Sequence, residues 1–209
     1  MSSTESRLRR WDLYPIFDPR TAPPNFATEL IEGGVRVMQI RMKGAATAEI
    51  TAAARALLPR CRAAGVDLIV NDDAEACAES GADGLHLGQG DMAPAEARRV
   101  IGPERLLGLS THSRDQFEAA LGEPVDIVAV GPVYGTASKA NPDPAVGLDL
   151  IRWARARTGQ PLVAIGGITA VTIRDVLAAG ADVVAVIAAL ASAPDLRAEV
   201  RALRAAWIH

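Results

Sequence analysis

Two apolar runs of strand length end in carboxylates. Leu68-Ile69-Val70 leads into Asn71-Asp72-Asp73, and Gly84-Leu85-His86-Leu87 leads through Gly88-Gln89-Gly90 into Asp91. Burial favours Leu, Ile and Val and opposes ionised carboxyl groups, so acids just past a strand end need their own explanation. If the two strands are parallel neighbours, Asp72 and Asp91 project from one rim. Two converging carboxylates repel unless a cation or a proton sits between them. At neutral pH such an oxygen-rich pair suits Mg2+, which takes one or two carboxylates plus substrate phosphate. Upstream, Gln39-Ile40-Arg41-Met42-Lys43 alternates so that an amide, a guanidinium and an ammonium share one side. That trio can hold an anion or a polar heterocycle, or it is simply a solvated strand end.

Neighbouring residues divide between chemistry and local capping. Asn71 has an acceptor and donors that suit the edge of an aminopyrimidine-like ring, or it forms an Asx turn. Asp73 is placed to cap the helix that follows it. Asp91 could cap a helix beginning near Pro94, but it repeats the chemistry of Asp72, which favours ligation. His86, inside its strand with no metal-ligand spacing beside it, reads as a satisfied core histidine. In Gly108-Leu109-Ser110-Thr111-His112-Ser113 the hydroxyls suit helix capping, while Ser110 and His112 could touch a diphosphate. His112 could instead carry a proton. A long loop, 131–142, brings Thr136, Ser138 and Lys139, two hydroxyls and a cation fit to grip phosphate. Gly166-Gly167 lets backbone N–H groups approach an anion. Ile187-Ala188-Ala189 opens a helix whose N-terminus adds attraction.

Elements able to hold these residues alternate along the chain. Strands are expected at 13–17, 35–41, 67–70, 84–87, 107–110, 126–130, 161–165 and 183–186. Alanine-rich helical patterns lie between them, at 47–63, 74–80, 94–101, 114–121, 148–158, 171–179 and 196–207. Strands separated by helices imply right-handed parallel crossovers, and eight of them match a (β/α)8 TIM barrel, near the short end of its length range. Gly81-Ala82-Asp83 and Gly180-Ala181-Asp182 each precede a strand, as do Gly65-Val66-Asp67 and Gly33-Gly34-Val35. Each reads as a glycine helix stop and a tight turn, repeated with one βα unit. A doubly wound sheet is less favoured, because Asp18-Pro19-Arg20 follows the first strand where a dinucleotide site would place glycines.

Bulk properties narrow the function. The 209 residues fit one domain, here 11–209, with residues 1–10 expected as a frayed or disordered polar terminus. Half the chain is hydrophobic (49%) and 22% is charged, so a folded core is expected. A net charge of −3 argues against nucleic-acid binding, which needs a basic face. No apolar run is long enough to cross a bilayer, and no signal core is visible. Cys61 and Cys77 lack metal-ligand spacing and read as small buried hydrophobes of a reducing, cytoplasmic setting.

Taken together, the motifs resemble those of the thiamine phosphate synthase family along nearly the whole chain. They are Gln39-x-Arg41-x-Lys43, Asn71-Asp72, His86-Leu87-Gly88-Gln89-x-Asp91, Gly131-Pro132-Val133-Tyr134-x-Thr136-x-Ser138-Lys139 and Gly166-Gly167-Ile168. The resemblance implies a Mg2+-dependent transferase that joins 4-amino-2-methyl-5-hydroxymethylpyrimidine diphosphate to a thiazole phosphate, giving thiamine phosphate and diphosphate. It implies Asp72 and Asp91 as metal ligands. Gln39, Arg41, Lys43, Asn71, Ser110 and Lys139 become contacts to the pyrimidine diphosphate, with Arg41, Lys43, Ser110 and Lys139 catalytic. Thr136, Ser138, Gly167, Ile187 and Ala188 become the thiazole-phosphate site. Two positions depart from the family: Ala188 stands where serine is frequent, implying weaker thiazole-phosphate binding, and Gly135 replaces a common proline, implying a looser loop. Rival readings are a thiazole tautomerase-like enzyme using His112, and a catalytically silent thiamine-precursor binding or regulatory protein. The intact charged strand ends favour the synthase. A homodimer is compatible with apolar helix faces.

Overall fold

Eight apolar runs become eight parallel strands closed in sequence order, β8 returning to β1. The computed structural model describes residues 3–135 and 144–207. In chain order the elements are α1 (Ser3–Leu8), β1 (Leu13–Phe17), α2 (Phe26–Glu32), β2 (Val37–Ile40), α3 (Thr47–Ala64), β3 (Asp67–Asn71) and α4 (Ala74–Ser80). Then follow β4 (Gly84–Leu87), α5 (Pro94–Ile101), β5 (Leu106–Thr111), α6 (Arg114–Leu121), β6 (Ile127–Val130) and α7 (Gly147–Arg155). The chain finishes with β7 (Leu162–Ile165), α8 (Ile173–Ala178), β8 (Val183–Val186), α9 (Ala188–Ala191), α10 (Leu196–Arg204) and a 3-10 turn at Ala205–Trp207. No described helix is long and apolar enough to cross a membrane.

Strands buried on both faces explain the unbroken apolar runs. Tyr14 and Ile16 point into the barrel with Val37, Ile69 and Val163, while Leu13 and Phe17 face the helical shell with Met38 and Leu68. At Gly84 a Cβ would lie 2.7 Å from the Leu106 carbonyl oxygen, so glycine lets β4 and β5 close together there. The α4 helix ends at Gly81 in a left-handed conformation (φ 76), and Gly180 (φ 111) turns the chain before β8.

Aspartates just before β4, β6 and β8, two of them in those glycine turns, have a use that the turn pattern alone did not reveal. Asp83 accepts the Leu68 N–H, Asp126 the Leu107 N–H and Asp182 the Leu162 N–H, each at 2.9 Å. Each satisfies one of the first two amides of a neighbouring strand at the barrel's N-terminal end, where an unpaired buried N–H would be costly. Arg7, Arg98 and Arg155 in turn pair with these three carboxylates. Register is therefore clamped at the bottom, which fixes the height at which each opposite strand end emerges.

Within the segment expected to be a frayed polar terminus, residues Ser3–Leu8 form α1, whose Leu8 is buried and joins Trp11 and Tyr14 in the barrel interior. Arg7 Nε and Trp11 Nε1 both donate to Asp67, at 2.8 and 2.7 Å. The segment reads as polar because one turn of helix needs only one apolar residue to plug the barrel. The sequence expectation also lacks α2, a short helix entered through Pro23-Pro24.

Candidate active site at the C-terminal rim

The C-terminal strand ends surround a cavity of about 380 Å³. Of the residues singled out from sequence, Gln39, Arg41, Lys43, Asn71, Asp72, Asp91, Ser110, Gly167, Ile187 and Ala188 all line it. Thr136, Ser138 and Lys139 lie outside the described residues. A larger open hollow of about 1270 Å³ lies at the opposite end, beside α1. There Asp126 and Asp182 are engaged in holding strands, whereas the rim gathers the polar groups with no such structural task.

Strand β2 delivers its side chains as the alternation requires. Gln39, almost fully buried, donates from Nε2 to the Tyr14 hydroxyl at 2.7 Å. Burial pushes the Tyr14 phenol well above its ordinary range, so it stays protonated. Arg41 reaches the cavity wall and forms no ion pair among the described residues. Lys43 pairs with Asp72.

Asp72 occupies the left-handed region at φ 65, the one described non-glycine residue with positive φ. Its N–H donates to the His86 carbonyl at 2.9 Å, and the Asp73 N–H to the Asn71 carbonyl at 2.8 Å. Such a conformation costs an L-residue roughly 1–2 kcal/mol, and here it aims the carboxyl group across at β4. The Asp72 and Asp91 carboxyl groups stand within hydrogen-bonding reach. Burial first, and then the Asp91 carboxyl, pushes Asp72 above the ordinary carboxylate range, while the Lys43 ammonium opposes the shift. Asp91 does not cap α5, whose N-cap is Ala93; it accepts the Gly88 N–H at 2.7 Å instead. Asp73 caps α4 as its position suggests, accepting the Ala76 N–H at 2.7 Å. Among the described residues no group of three or more His, Cys, Asp or Glu could hold a metal. A facing pair of oxygen donors beside open space does fit Mg2+, which fills the rest of its shell with water and phosphate.

His86 is buried and bonded, through Nε2, to Ser110 Oγ at 2.9 Å. It nevertheless lines the cavity, which its reading as core had left aside. The available signal was Gly108, paired with it across β4 and β5: a Cβ there would lie 2.4 Å from His86 Nδ1. Ser110 caps nothing; Ser113 caps α6. His112 Nδ1 contacts the Gly131 carbonyl at 2.5 Å. Gly166 (φ 105) and Gly167 (φ 64) close the far wall, and a Cβ on Gly167 would lie 2.5 Å from the Gly135 carbonyl. The cavity is thus charged on the side of β2 to β4, glycine-lined after β7 and apolar along β8, different environments in one opening.

Residues 13–190 match the thiamine monophosphate synthase family. The chain is 48% identical over 201 residues to the thiamine-phosphate synthase of Koribacter versatilis, covering 92% of this chain and 95% of that protein. It is 39% identical to that of Roseiflexus sp., covering 92% and 84%. The solved thiamine phosphate pyrophosphorylase from Pyrococcus furiosus superposes with a TM-score of 0.86 at 31% identity, covering 95% of this chain and 96% of that one. A geranylgeranylglyceryl phosphate synthase from Thermoplasma acidophilum, with a TM-score of 0.74 at 14% identity, shares the barrel alone. With the match spanning all eight strands and the rim cavity lying where such barrels do chemistry, this chain belongs to the thiamine monophosphate synthase family.

Proposed function

We propose that the protein is a Mg2+-dependent thiamine phosphate synthase, joining 4-amino-2-methyl-5-hydroxymethylpyrimidine diphosphate to a thiazole phosphate with release of diphosphate. The observation that carries the reading is the rim cavity, in which Asp72, Asp91, Arg41 and Lys43 face glycines of β7. The names of the relatives favour the synthase over a tautomerase-like or catalytically silent protein.

Residue roles follow from the chemistry of each wall. Gln39, oriented by Tyr14, and Asn71 recognise the aminopyrimidine edge. Arg41 and Lys43, with Lys139 and the Ser110 hydroxyl, face the diphosphate and stabilise the negative charge that grows as its C–O bond breaks. Preorganised charge of this kind is usually the largest catalytic contribution, one donor being worth about 3–4 kcal/mol. Asp72 and Asp91 would hold Mg2+, which when bound neutralises charge on the diphosphate. Gly167, Ile187 and Ala188, with Thr136 and Ser138, hold the thiazole phosphate so that its ring nitrogen meets the pyrimidinylmethyl carbon. No general base is required, because the attacking nitrogen carries no proton; the remainder is positioning.

The test is direct. Purified protein with both substrates and Mg2+ releases diphosphate and forms thiamine phosphate in equal amounts. Absence of both products from folded protein sinks the reading.

A further inference from the structure

The facing carboxylates already have a cation beside them, the ammonium of Lys43 on Asp72. Both acids are held by backbone. Asp91 is tied to the Gly88 N–H, and Asp72 is fixed by the His86 carbonyl and its own left-handed conformation. The Asp91 carboxyl cannot turn away without losing its bond to Gly88, and the fixed backbone of Asp72 keeps the root of its side chain facing Asp91. Lys43 is free to move: its side chain is half exposed (54%) on a flexible four-carbon stem. Lys43 and Lys139 are the chain's two lysines, and every other cationic side chain among its 22 Lys and Arg is arginine. The pairs that clamp the barrel bottom, from Arg7, Arg98, Arg155 and Arg204, are all arginine. Arginine's rigid fork suits a permanent clamp, and lysine's mobile point charge suits a cation that must let go.

Resting on the metal reading above, we infer that Lys43 is the displaceable counter-cation of the Asp72–Asp91 pair. Without metal it offsets the repulsion of the two acids. A divalent cation entering between them displaces the ammonium, which then turns to the diphosphate of the incoming substrate. Metal loading and substrate capture are thereby coupled through one side chain, and Lys43 competes with the metal it later assists.

The competition is measurable without substrate, using Mn2+ as the probe and electron paramagnetic resonance to count the free ion. Lys43→Gln binds Mn2+ about fivefold or more tightly than the unmodified chain, the factor that a unit charge at contact contributes even in water-like surroundings. In the unmodified protein, saturating Mn2+ accelerates acylation of Lys43 by an amine reagent, read by mass spectrometry against the terminal amine. Equal or weaker Mn2+ binding by Lys43→Gln overturns the inference, as does labelling that Mn2+ leaves unchanged or slows. Absence of saturable Mn2+ binding by both chains overturns it too. If Lys43→Gln does not fold, the labelling of the unmodified chain decides. Asp72→Asn binding Mn2+ as well as the unmodified chain would remove the metal site itself, a failure distinct from that of Lys43. Neither measurement depends on turnover.

Discussion

Asp72 and Asp73 are adjacent residues of one type with separate tasks. Asp73 spends its carboxylate on the first turn of α4 and on the Thr47 hydroxyl, while a left-handed backbone turns Asp72 toward Asp91. Chemical type does not separate them; conformation does. The cysteines make the opposite point, since their residue type promises reactivity that their surroundings remove. Burial pushes the Cys61 thiol up to about 11 and the Cys77 thiol up to about 12. Thiolate is the reactive form, and both groups stay protonated at pH 8, well below those values. Native protein at pH 8 therefore gives little colour with dithiobis-nitrobenzoate, and two thiols appear on denaturation. Prompt reaction of the folded chain would contradict the burial of either cysteine.

At the scale of elements, the rim is shaped by the places where strands stop. The β7 strand ends in two glycines with positive φ, and the second presses against the chain leaving β6. Gly167→Ala adds a methyl group 2.5 Å from the Gly135 carbonyl and 2.8 Å from Tyr134 Cβ. Left-handed strain and overpacking together cost about 2–5 kcal/mol. If this wall holds the thiazole phosphate, KM for that substrate rises several-fold while KM for the pyrimidine diphosphate changes little. Steady-state kinetics with each substrate varied in turn distinguish the two, and an equal rise in both would place Gly167 elsewhere in the reaction. Strand and helix positions were largely legible, because period-two and helical patterns are local. Five strand–helix pairings end within a residue or two of expectation. The α2 helix was not legible, being short and preceded by two prolines.

For the whole molecule, stability and chemistry lie at opposite ends of the barrel. The bottom is closed by α1, with Leu8 in the interior and Arg7 bridging Asp67 and Asp83. Leu8→Ala leaves a cavity under the barrel and costs about 2–4 kcal/mol, read as a lower urea midpoint. Because Leu8 lies at the end of the barrel opposite the rim and lines no part of the rim cavity, kcat at a temperature where the variant is folded stays near that of the unmodified protein. A large fall in kcat without loss of fold would show that the two ends are coupled.

The sequence alone determined the barrel and most of the polar rim, since eight apolar runs and their terminal residues follow from local pattern and from where acids are tolerated. It identified Asp72, Asp91, Arg41 and Lys43 as neighbours only on the condition that their strands lie side by side. Tertiary structure decided what each acid does: Asp72 and Asp91 meet, Asp73 caps, and the aspartates just before β4, β6 and β8 hold strand amides. It also decided that His86 and Tyr14 border or orient the site and that the polar N-terminus folds. These outcomes depend on register between strands far apart in the chain and on how closely backbones approach. No local pattern encodes either, because both are properties of the closed barrel.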